Sequence, residues 1–186
     1  MKTQFREHFS AHAEVVKRTL ETIDGPVASA AEELVERLRK GGKVLTFGNG
    51  GSSAEASHFA EELVGRFRKN RRPLPAISLS SDSGTVTCIA NDFGYETLFE
   101  RQVEAFAQPG DVTVALTTSG RSENVLRALR AARSRGALTI ALTGEAGLSG
   151  AEADHVIAIP SSDTAIVQEV HLIVIHCFCL AVEEAF

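Results

Sequence analysis

Hydrophobic and polar residues alternate in two different ways along this chain. In the first part, apolar residues recur at steps of three and four between Phe5 and Ile23, which is the period of an amphipathic helix. Asp24-Gly25-Pro26 interrupts the pattern, and a second helical pattern follows over residues 27–40 until a glycine pair ends it. Residues 1–41 are therefore predicted to form a helical segment that packs on the rest of the chain.

Beyond residue 42, short apolar runs alternate with helical patterns. The runs are continuously apolar, as in strands that are buried on both faces of a parallel sheet. The five predicted strands are 43–47, 75–79, 112–116, 138–142 and 156–159. The helical patterns that follow them are 53–66, 96–107, 122–135 and 164–184. This alternation predicts one α/β domain over residues 1–186, with a doubly wound, mostly parallel five-stranded sheet flanked by helices.

Composition narrows the class of protein. At 186 residues the chain has the length of one domain. Its formal net charge of −5 disfavours a protein built to grip nucleic acid or an anionic membrane, although a local cradle can still bind a small anion. The N-terminus has no apolar leader, and the most apolar stretch, residues 172–182, is shorter than the roughly 20 residues of a membrane span. Three cysteines without a framework spacing are typical of a reducing compartment, so we expect a cytoplasmic protein.

Two loops at the carboxyl ends of predicted strands have the composition of a phosphate site. Residues 48–52 carry three glycines, and Ser52 is predicted to cap the helix that follows. Residues 116–122 place four hydroxyls around one glycine at the start of a helix, where hydroxyls and free N–H groups form an uncharged cradle. Each loop alone is equally typical of an ordinary tight turn. Neither is a Walker A motif or a dinucleotide fingerprint, so no nucleotide cofactor is indicated.

Two helices carry residues with acid/base or metal-binding chemistry. His58 and Glu62 are four residues apart and therefore lie on one face of the helix. This spacing has three interpretations: an acid/base pair, two ligands of a metal ion, or an ordinary exposed polar pair. Gln168 and His176 interrupt the apolar last helix, roughly 12 Å apart along its axis, so they converge only if both lean toward a group between them. His171 is predicted to be a core histidine bonded to a backbone carbonyl.

Two further segments have simpler interpretations. Asn91-Asp92, followed by Phe93-Gly94, is typical of a helix end that turns into a loop, with Asn91 and Asp92 as possible capping residues. The segment 66–75 holds five basic residues and two prolines and is predicted to be a solvated loop.

Taken in order, these motifs resemble the phosphoheptose isomerases, a family of the sugar isomerase (SIS) domain class. The matching motifs are Gly48-Asn49-Gly50-Gly51-Ser52, His58-Phe59-Ala60-x-Glu62, Gly65-Arg66-Phe67, Asn91-Asp92-Phe93-Gly94-Tyr95, Thr118-Ser119-Gly120-x-Ser122 and Gln168-Glu169-x-His171. The resemblance covers nearly the whole chain. Two positions depart from the family pattern: Ile166-Val167 stands where the family often has Arg-Ile, and Arg121 where it usually has Asn.

The resemblance implies a parallel α/β fold, a homotetramer with active sites between subunits, and a specific reaction. The family converts sedoheptulose 7-phosphate to D-glycero-D-manno-heptose 7-phosphate, the first step toward activated heptose for surface glycans such as lipopolysaccharide. By position, Glu62 and His176 match the catalytic acid/base pair. Some members bind zinc through residues that match His58, Glu62, Gln168 and His176. The implied substrate-binding residues are Asn49, Gly50, Gly51, Ser52, Glu62, Arg66, Asn91, Asp92, Thr117, Thr118, Ser119, Ser122 and Gln168.

The residue types suit that reaction. Ketose–aldose isomerisation moves a proton between neighbouring carbons through an enediol, so it needs a base and an acid near the oxygens. Other functions stay open from the sequence: a non-catalytic SIS protein that acts as an adaptor of the replication initiator or as a sugar-phosphate sensor, and an isomerase for another sugar phosphate or for natural-product glycosylation. An adaptor or sensor has no need of the acid/base set, so its presence favours an enzyme.

Overall fold

The computed structural model describes residues 2–149 and 153–186. Helices and strands alternate after two initial helices, as the sequence predicts. The elements are α1 (Lys2–Leu20), α2 (Asp24–Arg39), β1 (Val44–Gly48), α3 (Gly51–Val64), β2 (Ala76–Ser78), α4 (Ser83–Phe93), α5 (Leu98–Phe106), β3 (Val112–Thr117), α6 (Glu123–Ser134), β4 (Leu138–Thr143), β5 (His155–Ala158) and α7 (Thr164–Ala185). A short 3₁₀ turn, Tyr95–Thr97, joins α4 to α5.

All five strands belong to one sheet, in the order β2-β1-β3-β4-β5, and every pairing is parallel. The three central strands are buried along their whole length, whereas the two edge strands are partly exposed. The continuously apolar sequence of the central strands follows from this burial on both faces. The predicted doubly wound parallel sheet is confirmed.

Helices cover both faces of the sheet with separate hydrophobic cores. On one face, α1, α2, α3 and α7 pack around residues such as Leu34, Phe59 and Phe178. On the other face, α4, α5 and α6 enclose Phe47, Phe99 and Leu129, and the Phe47 and Phe99 rings stack at 5.3 Å. The first two helices contribute residues to the first of these layers.

Two predicted helix boundaries are wrong near turns. Asp24-Gly25-Pro26 does not break the helical region but forms the first turn of α2, where a missing proline N–H costs nothing because first-turn N–H groups have no partner inside the helix. Helix α4 was predicted only at its end. Its start is fixed by Asp82, whose carboxylate accepts the N–H of Thr85.

The last helix, predicted at 164–184, spans Thr164–Ala185, and its apolar character extends beyond the stretch 172–182. Of the described residues, only α7 is long and apolar enough to cross a membrane, with a mean hydropathy of 2.0, but half of its most apolar window is buried. It contacts α1, α2, α3 and β4. His171 is fully buried on this helix and bonds the carbonyl of Thr143 at 3.1 Å, which confirms its structural interpretation. Burial lowers the pKa of His171 to about 4, so the ring is neutral.

Helix α1 packs on the molecule through its C-terminal half only. Val15 and Thr19 are buried, whereas Phe5 and Phe9 are 60% and 76% exposed. Two polar contacts fasten the outer half, because the carboxylate of Glu169 on α7 accepts hydrogen bonds from the rings of His8 (2.9 Å) and His12 (2.6 Å).

Candidate active site

A polar cavity lies where the carboxyl ends of β1 and β3 meet. These strands are neighbours and parallel, so their following loops open at the same edge of the sheet. The cavity has a volume of about 280 Å³ and is bounded by the N-termini of α3, α6 and α7. Its lining residues are Asn49, Gly50, Gly51, Ser52, Leu116, Thr117, Thr118, Ser119, Ser122, Thr164 and Gln168. The two loops that were predicted separately therefore form one site.

The glycine loop approaches α7 closely. Gly50 has φ +58°, a left-handed conformation that favours glycine. A Cβ on Gly51 would lie 2.6 Å from Nε2 of Gln168, so a side chain there would collide with the amide. The prediction that Ser52 caps α3 is wrong: the helix begins earlier, at Gly51, because Gly50 supplies the turn. Ser52 is instead buried, and its hydroxyl accepts a hydrogen bond from Gln168 Nε2 at 3.4 Å.

The hydroxyl loop after β3 is held by its own side chains. Oγ1 of Thr117 accepts the N–H of Gly120 at 3.2 Å, and Oγ of Ser119 accepts the N–H of Arg121 at 3.3 Å. Each of these hydroxyls keeps its proton free to donate to an anion. Gly120 has φ +63° and lies directly against the carbonyl of Gly147, so this position requires glycine. The result is a preformed set of donors.

Asn49 is oriented by partners that the sequence did not reveal. Its side-chain amide exchanges two hydrogen bonds with that of Asn124, at 2.9 and 2.8 Å, and its Oδ1 also accepts from the Tyr95 hydroxyl at 2.8 Å. Asn124 is buried in the first turn of α6, directly after the hydroxyl loop. The sequence signal that could have identified Asn124 is its position as a polar residue at the start of an amphipathic helix. Tyr95 is the last residue of the motif 91–95, but the sequence does not predict its contact with Asn49.

A second cluster lies further along α3. Nε2 of His58 is 3.4 Å from Oε1 of Glu62 and 3.3 Å from Nε2 of His176 on α7. The two histidine rings meet edge to face, with centroids 5.5 Å apart. The helical spacing of His58 and Glu62 predicted their contact; the fold adds His176 from more than a hundred residues away in the sequence.

Burial shapes the electrostatics of the cluster. Desolvation lowers the pKa of His176, the neighbouring His58 lowers it further, and the Glu62 carboxylate opposes both. Phe67 stacks on the His176 ring with centroids 5.0 Å apart and contributes to its burial. One turn before His58, burial raises the pKa of Glu55 to about 7, and its Oε2 is buried without a hydrogen-bond partner.

The donors of this cluster fit a metal ion. One ligand atom each from His58, Glu62 and His176 lie within 4.8 Å of one another, and all three residues are partly buried. Imidazole nitrogen and carboxylate oxygen are zinc ligands, and donors about 2.0–2.1 Å from a tetrahedral zinc ion lie roughly 3.3 Å apart. The separations of 3.4 and 3.3 Å at His58 agree with that spacing. Gln168 lines the polar cavity, where it contacts Ser52 and the glycine loop, and it is not one of the three residues of this cluster.

Three of the residues implied by the resemblance belong neither to the cavity lining nor to the cluster of His58, Glu62 and His176. Arg66 is exposed directly after α3, and Asn91 and Asp92 are exposed in the last turn of α4. Asn91 donates to Oδ1 of Asp92 at 2.6 Å, so their side chains bond each other, and capping by either is not seen in the described contacts. The helix does end there, as predicted, with Gly94 at φ +88°.

Comparison with known proteins agrees with this geometry. Residues 7–144 match the SIS domain family model. A phosphoheptose isomerase of Aquifex aeolicus (strain VF5) is 47% identical over 185 residues, which cover 99% of this chain and 97% of the relative. Solved phosphoheptose isomerases from Neisseria gonorrhoeae and Francisella tularensis superpose with TM-scores of 0.90 and 0.91 at 35% and 34% identity; each match covers 98% of this chain, and 98% and 97% of the solved chains. The chain therefore belongs to the SIS domain family and, within it, to the phosphoheptose isomerases.

Proposed function

We propose that this chain is an aldose–ketose isomerase that converts sedoheptulose 7-phosphate to D-glycero-D-manno-heptose 7-phosphate. The observation that carries the proposal is one helix, α3, with a phosphate-type cavity at its start and the Glu62–His176 pair near its end. His58, whose Nε2 contacts both members of that pair, lies about 10 Å from Gly51 along the helix axis. That is the scale of a seven-carbon sugar with a terminal phosphate, so one substrate spans both clusters.

The residues divide the work of binding and proton transfer. Thr117, Thr118, Ser119 and Ser122, together with helix N-termini, hold the phosphate without a fixed positive charge. Bound there, the sugar places C1 and C2 near Glu62 and His176. One of this pair removes a proton from C1, exchanges it with solvent and delivers a proton to C2, while the other moves a proton between the two oxygens, so that the ketose becomes the aldose through an enediol.

The metal triad adds a finer proposal, that the ion is zinc. His58, Glu62 and His176 would hold it, with Gln168 as a fourth ligand. A bound zinc ion would polarise the substrate carbonyl and stabilise negative charge on its oxygens. Zinc is supported by the donor types and by their spacing in the triad. Gln168 is the weaker member of the set, because amide oxygens are unusual zinc ligands.

The oligomeric state and the cellular location are part of the same proposal. We expect a homotetramer with active sites at subunit interfaces, as the resemblance implies, and the apolar surface left uncovered on the first and last helices of the single chain is compatible with such packing. A nonpolar cavity of about 420 Å³ opens between α1, α2 and α7, and Phe9 and Ile173 are exposed nearby. Arg66, Asn91 and Asp92 are free to face a neighbouring subunit. We place the protein in the cytoplasm, where its product supplies activated heptose for surface glycans.

Turnover tests the proposal. Purified protein is mixed with sedoheptulose 7-phosphate and followed by NMR, with and without a chelator. Heptose 7-phosphate that stops appearing with chelator supports both the isomerase and the metal. Product that persists with chelator leaves Glu62 and His176 as a metal-free pair and contradicts zinc. Binding of the sugar phosphate without product would contradict the isomerase and favour a sensor or adaptor.

A further inference from the structure

The loop 66–75 is bound to both helices that carry the proposed acid/base pair. The guanidinium of Arg71 donates to the carbonyls of Glu62 (2.6 Å) and Leu63 (2.8 Å) at the end of α3. At the other side, the carboxylate of Glu183 on α7 accepts the backbone N–H groups of Arg68 (2.5 Å) and Lys69 (2.8 Å). The predicted solvated loop is confirmed, since the segment has no helix or strand and most of its residues are exposed, but these contacts also fix it at two points.

Directly before the 68–69 anchor, the loop places an aromatic ring on His176. The rings of Phe67 and His176 stack with centroids 5.0 Å apart and an interplanar angle of 29°. The guanidinium of Arg68 lies 4.9 Å from the centre of the Phe67 ring, as a cation–π contact. Phe67 is therefore held by its own neighbour in the loop and limits the orientations open to the imidazole.

The anchor and the histidine share one helix. His176 and Glu183 are seven residues apart on α7, so they lie on the same helix face about 10 Å from each other along the axis. Glu183 is only 8% exposed, although it is a charged residue. The two N–H donors, joined by the cations of Arg71 and Lys69, lower its pKa despite the opposing effect of burial, so it accepts these bonds as a carboxylate. The chain thus forms a closed ring of contacts: His176, Phe67, the 68–69 backbone, Glu183 and back along α7.

We propose that Phe67 and Glu183 are positioning residues of the isomerase, with Phe67 orienting the His176 imidazole toward Glu62 and Glu183 holding Phe67 in place. This inference rests on the proposed function for its consequence in catalysis, but not for its geometry. Misplacing a reacting group by about 1 Å costs up to a hundredfold in rate. We call Phe67, the 68–69 backbone and Glu183 the clip; because the phosphate is bound in the cavity at the other end of α3, we expect loss of the clip to change kcat more than substrate binding.

The first test compares kcat with KM in Phe67 variants. We expect Phe67→Leu to lower kcat about tenfold or more with KM changed less than twofold, and Phe67→Tyr, which keeps an aromatic ring, to restore most of the loss. Phe186→Leu is the matched control, since the guanidinium of Arg72 lies at the same 4.9 Å from its ring but no histidine stacks on it. Normal kcat in Phe67→Leu, or an equal loss in Phe186→Leu, would overturn the proposal.

The second test asks whether the two residues act as one unit. We expect Glu183→Ala to lower kcat as Phe67→Leu does, and Glu183→Gln, which keeps an acceptor oxygen, to lower it less. The double variant Phe67→Leu/Glu183→Ala should be about as slow as the slower single variant, because residues in one contact network are not additive. If the losses in kcat of the two single variants multiply in the double variant, Glu183 acts independently of Phe67, which would contradict the proposal that the two residues act as one unit.

A spectroscopic measurement separates this inference from the proposed reaction. A ring stacked on Phe67 gives imidazole C–H protons shifted upfield by the ring current, and His176→Gln identifies those signals among the six histidines. We expect the upfield shift in the wild type, its loss in Phe67→Leu and its reduction in Glu183→Ala, in metal-free and zinc-loaded protein alike. The shift would persist even if sedoheptulose 7-phosphate were not a substrate. Its absence from the wild type would overturn the positioning role.

Discussion

At the scale of single residues, the candidate site depends on His58, which lies between the other two members of its cluster. Its Nε2 is within 3.4 Å of both Glu62 and His176, so one imidazole links a carboxylate and a second imidazole. Such a chain of titratable groups suits proton transfer with or without a metal ion. Its members also keep partial access to solvent, which a substrate needs in order to reach them.

We expect Glu62→Gln to lower kcat by at least about a hundredfold, since the amide keeps the shape of the side chain but cannot take up a proton, and general acid–base catalysis contributes about 10²–10⁴-fold. The thermal midpoint should stay within a few degrees, because Glu62 is not part of the hydrophobic core. Steady-state kinetics and a melting curve check both points. Glu104→Gln, an exposed substitution on α5, serves as the control, and near-normal turnover in Glu62→Gln would remove the carboxylate from the mechanism.

Glu55 predicts a pH dependence of stability. Burial raises its pKa from 4.5 to about 7, so the folded state holds a proton there that the unfolded chain releases. Stability from this group is therefore complete below about pH 4.5 and lost as the pH rises through 7. We expect Glu55→Gln to melt at the same temperature as the wild type near pH 5 and at a higher temperature near pH 8. A difference between the two proteins that does not change with pH would show that Glu55 titrates normally.

At the scale of elements, the loop between α3 and β2 connects the parts of the site. Arg71 satisfies carbonyls that the end of α3 leaves without helical partners, and Leu74 buries its side chain behind them. The helix that carries Glu62 therefore ends in a fixed position. The five basic side chains of this loop repel one another. The negative charge of the Glu183 carboxylate, which accepts the N–H groups of residues 68 and 69, offsets part of that repulsion.

We expect Arg71→Lys to lower the free energy of unfolding by about 1–2 kcal/mol, because an ammonium cannot replace the forked guanidinium at two carbonyls. Urea denaturation measures the change. Arg72→Lys is the neighbouring control, since the Arg72 side chain is exposed and contacts only the Phe186 ring among the described contacts. Equal stabilities of the two variants would mean that Arg71 does not cap α3.

The elements differ in how far their sequence predicts them. The buried strands and amphipathic helices follow from local apolar patterns, and the contact of His58 with Glu62 follows from helical spacing alone. The meeting of His176 with His58 and the bond between Glu183 and the 68–69 backbone join residues more than a hundred positions apart, and no local pattern records them. The composition of the basic loop correctly predicts a solvated segment, but it does not predict the contacts that fix the loop to α3 and α7.

At the scale of the whole molecule, uncovered apolar surface is the feature that the single chain leaves unexplained. Phe5 and Phe9 are exposed on the outer half of α1, and the hydrogen bonds described there join His8 and His12 to Glu169 on α7. A second copy packing on this face would bury both rings and the nonpolar cavity beside them. The proposed homotetramer accounts for this surface in a way that a monomer does not.

We expect light scattering after size exclusion to give the mass of a tetramer for the wild type and a smaller species for Phe9→Glu, because a carboxylate at that position would be buried without a partner in the assembly. Phe106→Glu, at an exposed phenylalanine on the opposite layer, is the control and should remain tetrameric. A monomeric wild type would contradict the proposed assembly.

The most direct test of the account as a whole is the fate of the transferred proton. Sedoheptulose 7-phosphate is converted in D₂O, and the heptose 7-phosphate formed is examined by NMR for deuterium at C2. We expect product from the wild type with deuterium at C2, since an enediol exchanges its proton with solvent through Glu62 or His176, and at least a hundredfold less product from Glu62→Gln. Failure of the wild type to form heptose 7-phosphate, or equal rates in the two proteins, would contradict the assignment of this chain as an isomerase that works through Glu62.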